Sequence, residues 1–321
     1  MARLLRIQIT MYIAMVYALQ IASTKFRCDH SGRKEQEITM DVAVQDKPVE
    51  AEYRLLKIEK LNPTLGAYVS GVDLTQPYGE DVADELRRAL ADNLVIFLRD
   101  QPIDFEAHRR LAAVFGEAHV APSTKPWRVP GFDEITKMHA DENSTYVAGE
   151  GWHSDMSCDP EPPMGSILYL HTVPPLGGDT VFSNMYAAWD ALSDRMKAQL
   201  EGLSAVHDGV KAFGGLVPKG MDLPCTSHPV VRVHPVTGRK ALYVNRGYTT
   251  RIEGIPERES EALLAFLYDH VQSPMFQCRF TWSPHAIAIW DNRCGQHMAI
   301  WDYFPAVRSG YRIQVKGEKP V

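Results

Sequence analysis

With 321 residues, 45% hydrophobic and 23% charged, the chain can hold one large domain or two small ones and can bury a full core. A formal charge of −6 argues against a nucleic-acid partner, because a phosphate backbone calls for a basic surface. Five cysteines (Cys28, Cys158, Cys225, Cys278 and Cys294) form no Cys-x-x-Cys pair and no even framework, which points to a reduced, intracellular chain and away from a disulfide scaffold.

Residues 7–22 are mostly apolar, preceded by Arg3 and Arg6 and followed by Lys25 and Arg27, a layout that resembles a secretory signal. The run is short for a membrane span and is broken by Gln8, Thr10 and Gln20. Met40 opens the stretch that leads into the rest of the chain. Residues 1–50 therefore read as an extension, either accessory or produced by a wrongly assigned start, ahead of one domain over residues 51–321. Cytoplasmic residence, with no membrane partner, is expected on that reading, although the apolar stretch leaves secretion open; a homo-oligomer is left open too.

Val82, Leu86 and Leu90 recur every four residues and predict a helix over 80–90, followed by a buried strand at 94–98. Asp104 caps a second helix with Phe105, His108, Leu111 and Phe115 on one face and Gly116 as its stop, which makes His108 a core histidine. Residues 121–151 read as a long loop able to wall a pocket. Strands are expected at 167–170, 180–182, 230–233, 241–244 and 286–290. Between them, Tyr186, Trp189, Leu192, Met196, Leu200 and Leu203 form a helical stripe in which Ser193 can cap a new helix. Pro256 introduces a last helix through Leu263, Leu264, Leu267 and Val271. Short strands with a few inserted helices suit two facing sheets with a ligand cavity between them.

The chemistry concentrates at Gly151-Trp152-His153-Ser154-Asp155-Met156-Ser157. On a β-strand, a histidine and a carboxylate two positions apart project from one face. That pair lacks only a second imidazole to form the facial triad that holds non-haem Fe(II) with positions open for oxygen chemistry. The segment Trp290-Asp291-Asn292-Arg293-Cys294-Gly295-Gln296-His297 offers that imidazole. Arg308 and Arg312, four apart in a strand-like segment, share a face as well, so the set reads as a metal site with an anion clamp. His207 and His234 are the nearest rivals as ligands, with structural, hydrogen-bonded roles expected for both. Cys158 and Cys294, close in sequence to the ligands, are expected to be small buried residues.

Further segments in the same order include Gly71-Val72-Asp73-Leu74, Val95-Ile96-Phe97-Leu98-Arg99-Asp100-Gln101 and Gly177-Gly178-Asp179-Thr180. Met185-Tyr186-Ala187-Ala188 and Val244-Asn245-Arg246-Gly247-Tyr248-Thr249-Thr250-Arg251-Ile252 follow. On these, residues 56–320 resemble the taurine dioxygenase family of Fe(II)- and 2-oxoglutarate-dependent oxygenases, which also holds the alkylsulfatase and chlorophenoxy-acid dioxygenases. The resemblance implies a mainly β fold with flanking helices and a double-stranded β-helix (jelly-roll) core. It implies Fe(II) on His153, Asp155 and His297, and O2 and 2-oxoglutarate as co-substrates. Arg308, eleven positions after His297, matches the arginine that grips the distal carboxylate of 2-oxoglutarate, and Thr180 matches the hydroxyl that supports it.

Arg312 matches a second arginine, which in the taurine enzyme holds the sulfonate, and Met156 and Tyr248 match positions lining the substrate pocket. The pattern departs where that enzyme contacts the substrate's amino group: this chain has Ala121, Thr124 and Gly149 there. The implied activity is hydroxylation of a small anionic substrate (a sulfonate, sulfate ester or carboxylate) with release of succinate and CO2, and with no side chain required beyond the metal centre as a catalyst. On residues alone two rivals stay open. A zinc hydrolase could use the same His/Asp/His set around an activated water, although it would not need Arg308 and Thr180. A non-catalytic jelly-roll binding protein could keep the barrel without the chemistry.

Overall fold

The computed structural model describes residues 53–217 and 219–321. The expectations for the N-terminal extension lie outside the described residues. Sixteen strands occur among the described residues, and the first six are β1 (Lys57–Lys60), β2 (Ala67–Ser70), β3 (Val95–Leu98), β4 (Arg128–Val129), β5 (Phe132–Ala140) and β6 (Gly165–Thr172). Next come β7 (Thr180–Asn184), β8 (Ser204–Asp208), β9 (Cys225–Pro229), β10 (Val231–Val233) and β11 (Lys240–Leu242). The last five are β12 (Thr249–Ile252), β13 (Gln277–Phe280), β14 (Ala286–Asp291), β15 (Gly295–Ala299) and β16 (Arg308–Val315).

One large sheet runs β1-β2-β3-β14-β6-β16-β5-β4, and a smaller one runs β13-β7-β15. A third sheet, β12-β8-β9, and the hairpin β10-β11 complete the set. Pairing is antiparallel except between β2 and β3. The architecture is the jelly roll expected from the sequence.

Side-chain alternation explains how the large sheet serves two layers. Ile96, Leu98, Ile167, Tyr169, Ile287, Ile289, Ile313 and Val315 pack with Leu86, Leu90 and Leu111 of the helices Glu80–Asn93 and Phe105–Ala113. Their neighbours in sequence, Val95, Phe97, Leu168, Leu170, Ala286, Ala288 and Trp290, face the other way and pack with Phe182, Phe280 and Trp282. Phe97 and Phe280 stack across that layer with centroids 4.0 Å apart. On β16 the same parity leaves positions 308 and 312 on the cavity side while Ile313 and Val315 meet the helices.

Several local expectations hold. Leu86 and Leu90 are buried on their helix, Asp104 accepts from the Ala107 amide at 2.8 Å, and His108 is 1% exposed. The stripe divides into two helices, Met185–Asp190 and Asp194–Leu200, and Ser193 caps the second, accepting from the Met196 amide. Pro256 sits one position ahead of the helix Glu257–His270 as its N-cap.

Residues 121–151 need correction, because they contain a short 3-10 helix at Pro122–Trp127 and the strands β4 and β5. In β5 only Ile135, Thr136 and Ala140 are buried, so no clear apolar alternation marks it. The strand is made by its partner, with Ala140 opposite Arg308 and Thr136 opposite Arg312 on β16. No helix of the described residues is long and apolar enough to cross a membrane.

Candidate active site

His153, Asp155 and His297 come together, with one potential ligand atom from each lying within 4.8 Å of the others. The two histidines, far apart in sequence, are joined by an antiparallel bridge: His153 N donates to His297 O at 3.1 Å and His297 N to His153 O at 2.9 Å. Their rings lie 4.2 Å apart. The reading of His153 and Asp155 as alternate residues of one strand is corrected here. Pairing stops at the bridge, and residues 155–158 turn, with Met156 at φ 47°. Asp155 reaches the same space from the turn, its Oδ1 3.5 Å from His153 Nε2 and its Oδ2 3.9 Å from His297 Nε2.

The donor chemistry suits a divalent ion. His153 Nδ1 lies 2.7 Å from the Gly151 carbonyl, which can only accept, so Nδ1 is a donor and Nε2 is the ring nitrogen turned to the cluster. His297 is pushed down to about 3, chiefly by burial and then by His153, which leaves its imidazole neutral. Its Nδ1 is buried without a hydrogen-bond partner among the described residues. The ring is held by packing instead, 4.6 Å from Trp290 and stacked on Phe182 at 6.0 Å. Burial alone would raise the Asp155 carboxyl, but Arg312, His297 and His153 outweigh it and hold the group well below the usual carboxylate range. Two imidazole nitrogens and one carboxylate are the set a facial triad requires.

The carboxylate is oriented by groups that the sequence did not mark. Ser166 on β6 donates to Asp155 Oδ2 at 2.6 Å, and Asn292 Nδ2 donates to Ser166 Oγ at 3.2 Å. Asn292 Oδ1 in turn accepts from the Asp155 amide at 3.3 Å and from Trp290 Nε1 at 3.0 Å. Asn292 stands inside a motif quoted for the resemblance, whereas Ser166 carried no signal at all.

Arg308 and Arg312 enter the same cavity of about 560 Å³ that the three ligand residues line. Arg308 Nε donates to the Gly178 carbonyl at 3.1 Å, and Nη2 lies 3.5 Å from Thr180 Oγ1. That oxygen also accepts from Trp282 Nε1 at 3.0 Å, which leaves the threonine proton free to donate into the cavity. Gly178, at φ 72°, must be glycine: an added Cβ would lie 2.9 Å from Pro174 and 3.3 Å from the Arg308 side chain. Arg312 Nη1 donates to Asp155 Oδ1 at 2.9 Å, so the second arginine touches the proposed ligand itself. Its Nε is buried without an acceptor among the described residues, which leaves the guanidinium with donor capacity to spare.

Met156 and Tyr248 line the cavity and pack with Ala121 and Cys158 as a small apolar cluster. Burial lifts the Tyr248 hydroxyl well above its ordinary range. The rival histidines are accounted for structurally. His207 Nδ1 meets Ser157 Oγ at 3.0 Å, and His234 Nε2 meets Asp291 Oδ2 at 3.1 Å. His234, Asp291 and Cys294 also lie close enough to hold an ion. Arg293, 2.6 Å from Asp291, already supplies the cation there. Cys158 and Cys294 are buried, as expected.

A jelly roll with two histidines and a carboxylate inside it, and two arginines of one strand face beside that cluster, is the arrangement expected of a metal-dependent oxygenase. Residues 57–314 match the family model described as taurine catabolism dioxygenase TauD, TfdA family, and the chain belongs to that family. The alpha-ketoglutarate-dependent sulfonate dioxygenase of Saccharomyces cerevisiae is 34% identical over 83% of this chain and 68% of its own length. The alpha-ketoglutarate-dependent sulfate ester dioxygenase of Pseudomonas putida is 30% identical over 83% of this chain and 91% of its own. The crystal structure of a taurine dioxygenase from Burkholderia xenovorans superposes with a TM-score of 0.74 at 35% identity, covering 84% of this chain and 91% of that one. Family membership sets aside the zinc-hydrolase and non-catalytic readings.

Proposed function

We propose that this dioxygenase, dependent on 2-oxoglutarate and O2, holds Fe(II) on His153, Asp155 and His297 and hydroxylates a small organic anion with a largely apolar body. The observation that carries the proposal is the placing of two arginines from one face of β16 beside the ligand cluster, Arg308 next to Thr180 and Arg312 next to Asp155. With metal and 2-oxoglutarate bound, such a site couples oxidative decarboxylation of the 2-oxo acid to insertion of one oxygen atom into a substrate C–H bond, the other atom leaving in succinate.

The chain's own residues supply orientation and anion recognition. Arg308, fixed by Gly178 and Trp282, presents a planar fork for the distal carboxylate, and the Thr180 hydroxyl donates a second bond to it. Arg312 uses its spare donors on a sulfonate, sulfate or carboxylate of the primary substrate, which brings the neighbouring carbon to the ligand cluster. Met156 and Tyr248 wall that position and keep water away from it. No side chain is asked to act as a general base. Where the hydroxylated carbon bears a sulfonate, its C–S bond breaks to give an aldehyde and sulfite. Where it bears a sulfate ester, its C–O bond breaks to give an aldehyde and sulfate.

Taurine is a poor substrate in this reading. Gly149 offers no side chain to an ammonium group, and its position is tight, an added Cβ lying 3.0 Å from His153 Cε1. The Thr124 hydroxyl is spent on the Ala121 carbonyl at 2.8 Å. A cytoplasmic location, where metabolism supplies 2-oxoglutarate, belongs to the same proposal. The test is a panel of alkylsulfonates, alkyl sulfates and aryloxyacids read as substrate-dependent succinate formation. Turnover of anionic members, with KM raised in Arg312→Ala, supports the reading. Efficient turnover of taurine, or of an uncharged compound with no effect of Arg312→Ala, refutes it.

A further inference from the structure

Arg308 is buried, and among the described residues its guanidinium has no carboxylate partner; its polar contacts are the Gly178 carbonyl at 3.1 Å and the Thr180 hydroxyl at 3.5 Å. The direction of its free N–H groups therefore depends on the peptide between Gly178 and Asp179. Two glycines in succession, Gly177 at φ 78° and Gly178 at φ 72°, give that peptide little stiffness of its own.

The stiffness comes from the segment between β15 and β16. Gly178 N donates to Asp302 Oδ1 at 2.8 Å, and Ile300 N donates to the Asp179 carbonyl at 3.0 Å. These two bonds pin the peptide planes on either side of the one whose carbonyl faces Arg308. Asp179 is held again through its side chain, where Oδ2 accepts from Arg279 Nε at 2.5 Å and from Thr281 Oγ1 at 3.2 Å. The fit around Asp302 is close: a Cβ added at Gly177 would lie 2.9 Å from its Cγ. Yet Asp302 is itself exposed, its second oxygen 4.0 Å from Arg279, and it is not among the walls of the cavity.

We infer that Asp302 is a positioning residue for 2-oxoglutarate: by holding the Gly178 amide it fixes the carbonyl that aims the Arg308 fork. This rests on the reading of Arg308 as the residue that grips the distal carboxylate. The carboxylate oxygen is needed here as an acceptor and not for its charge, since what it holds is a backbone N–H. A bond that merely stitched two loops together would add to stability and leave the affinity for 2-oxoglutarate alone.

The experiment loads the full chain with Mn(II) and titrates 2-oxoglutarate into it calorimetrically, without primary substrate. Asp302→Ala is expected to bind 2-oxoglutarate about three- to tenfold more weakly than the parent, the scale of one net hydrogen bond. Asp302→Asn keeps an acceptor for the Gly178 amide and should restore the parental affinity. Both variants lack the charge, so the difference between them reads the acceptor alone. Mn(II) affinity, followed by electron paramagnetic resonance, should be equal in all three proteins. Parental 2-oxoglutarate affinity in Asp302→Ala, equal losses in the two variants, or a matching loss of Mn(II) affinity in Asp302→Ala overturns the inference. Arg308→Lys, titrated in the same way, keeps the two readings apart. If it too binds 2-oxoglutarate as the parent does, the assignment of Arg308 falls; if it alone is weakened, only the role of Asp302 does.

Discussion

Replacing Arg308 with lysine should weaken 2-oxoglutarate binding about tenfold to a hundredfold while leaving metal binding in place. The guanidinium is anchored on one edge by the Gly178 carbonyl at 3.1 Å and lies 5.5 Å from the Trp282 ring, so the remaining N–H groups are held in one plane beside Thr180. A lysine at this position keeps a charge but loses the planar two-pronged donor. Loss of one charged hydrogen bond costs about 1.5–3 kcal/mol, which is the affinity range just given. Burial adds to the effect. It already lowers the arginine from its ordinary range, and a lysine, which starts near 10.4, has less margin before it loses its proton. Titrating 2-oxoglutarate against succinate formation at saturating primary substrate, with an anaerobic optical titration beside it, reads the change. An unchanged apparent affinity would mean that another residue holds the distal carboxylate.

Ser166→Ala should weaken metal binding by about 10–100-fold, the usual effect of removing a partner that orients a ligand. Titration of metal-free protein with Mn(II), followed by electron paramagnetic resonance, measures it, with Ser166→Thr restoring much of the loss; equal affinities would leave the hydroxyl a mere filler of space. Gly247→Ala places a methyl group 2.8 Å from His153 Cβ, so the first imidazole must shift. Metal affinity should fall by more than thermal stability does, and a variant with parental metal affinity would show that the turn can yield.

Much of the site was legible because its chemistry is sparse. Two histidines and an aspartate with the right company, and two arginines on one strand face, are unusual enough to stand out from their neighbours. What stayed hidden depends on pairing. β5 carries one fully buried aliphatic residue, Ile135, and exists because β16 lies beside it. The turn that starts at Asp155 has no glycine or proline to announce it; the chain leaves the bridge at His153 and reaches the same target by another route. Ser166 looks like any strand serine until the fold sets it against Asp155. The Arg312–Asp155 contact could not be read either, since it joins residues 157 positions apart.

The most direct measurement is anaerobic addition of Fe(II) and then 2-oxoglutarate to the metal-free protein, followed in the visible. A weak charge-transfer band is expected only when both are present, and it should be missing in Asp155→Ala and His297→Ala variants that remain folded by circular dichroism. Silence in the parent protein together with tight zinc binding, or an undiminished band in either variant, would contradict the assignment of Fe(II) and its co-substrate to these three residues.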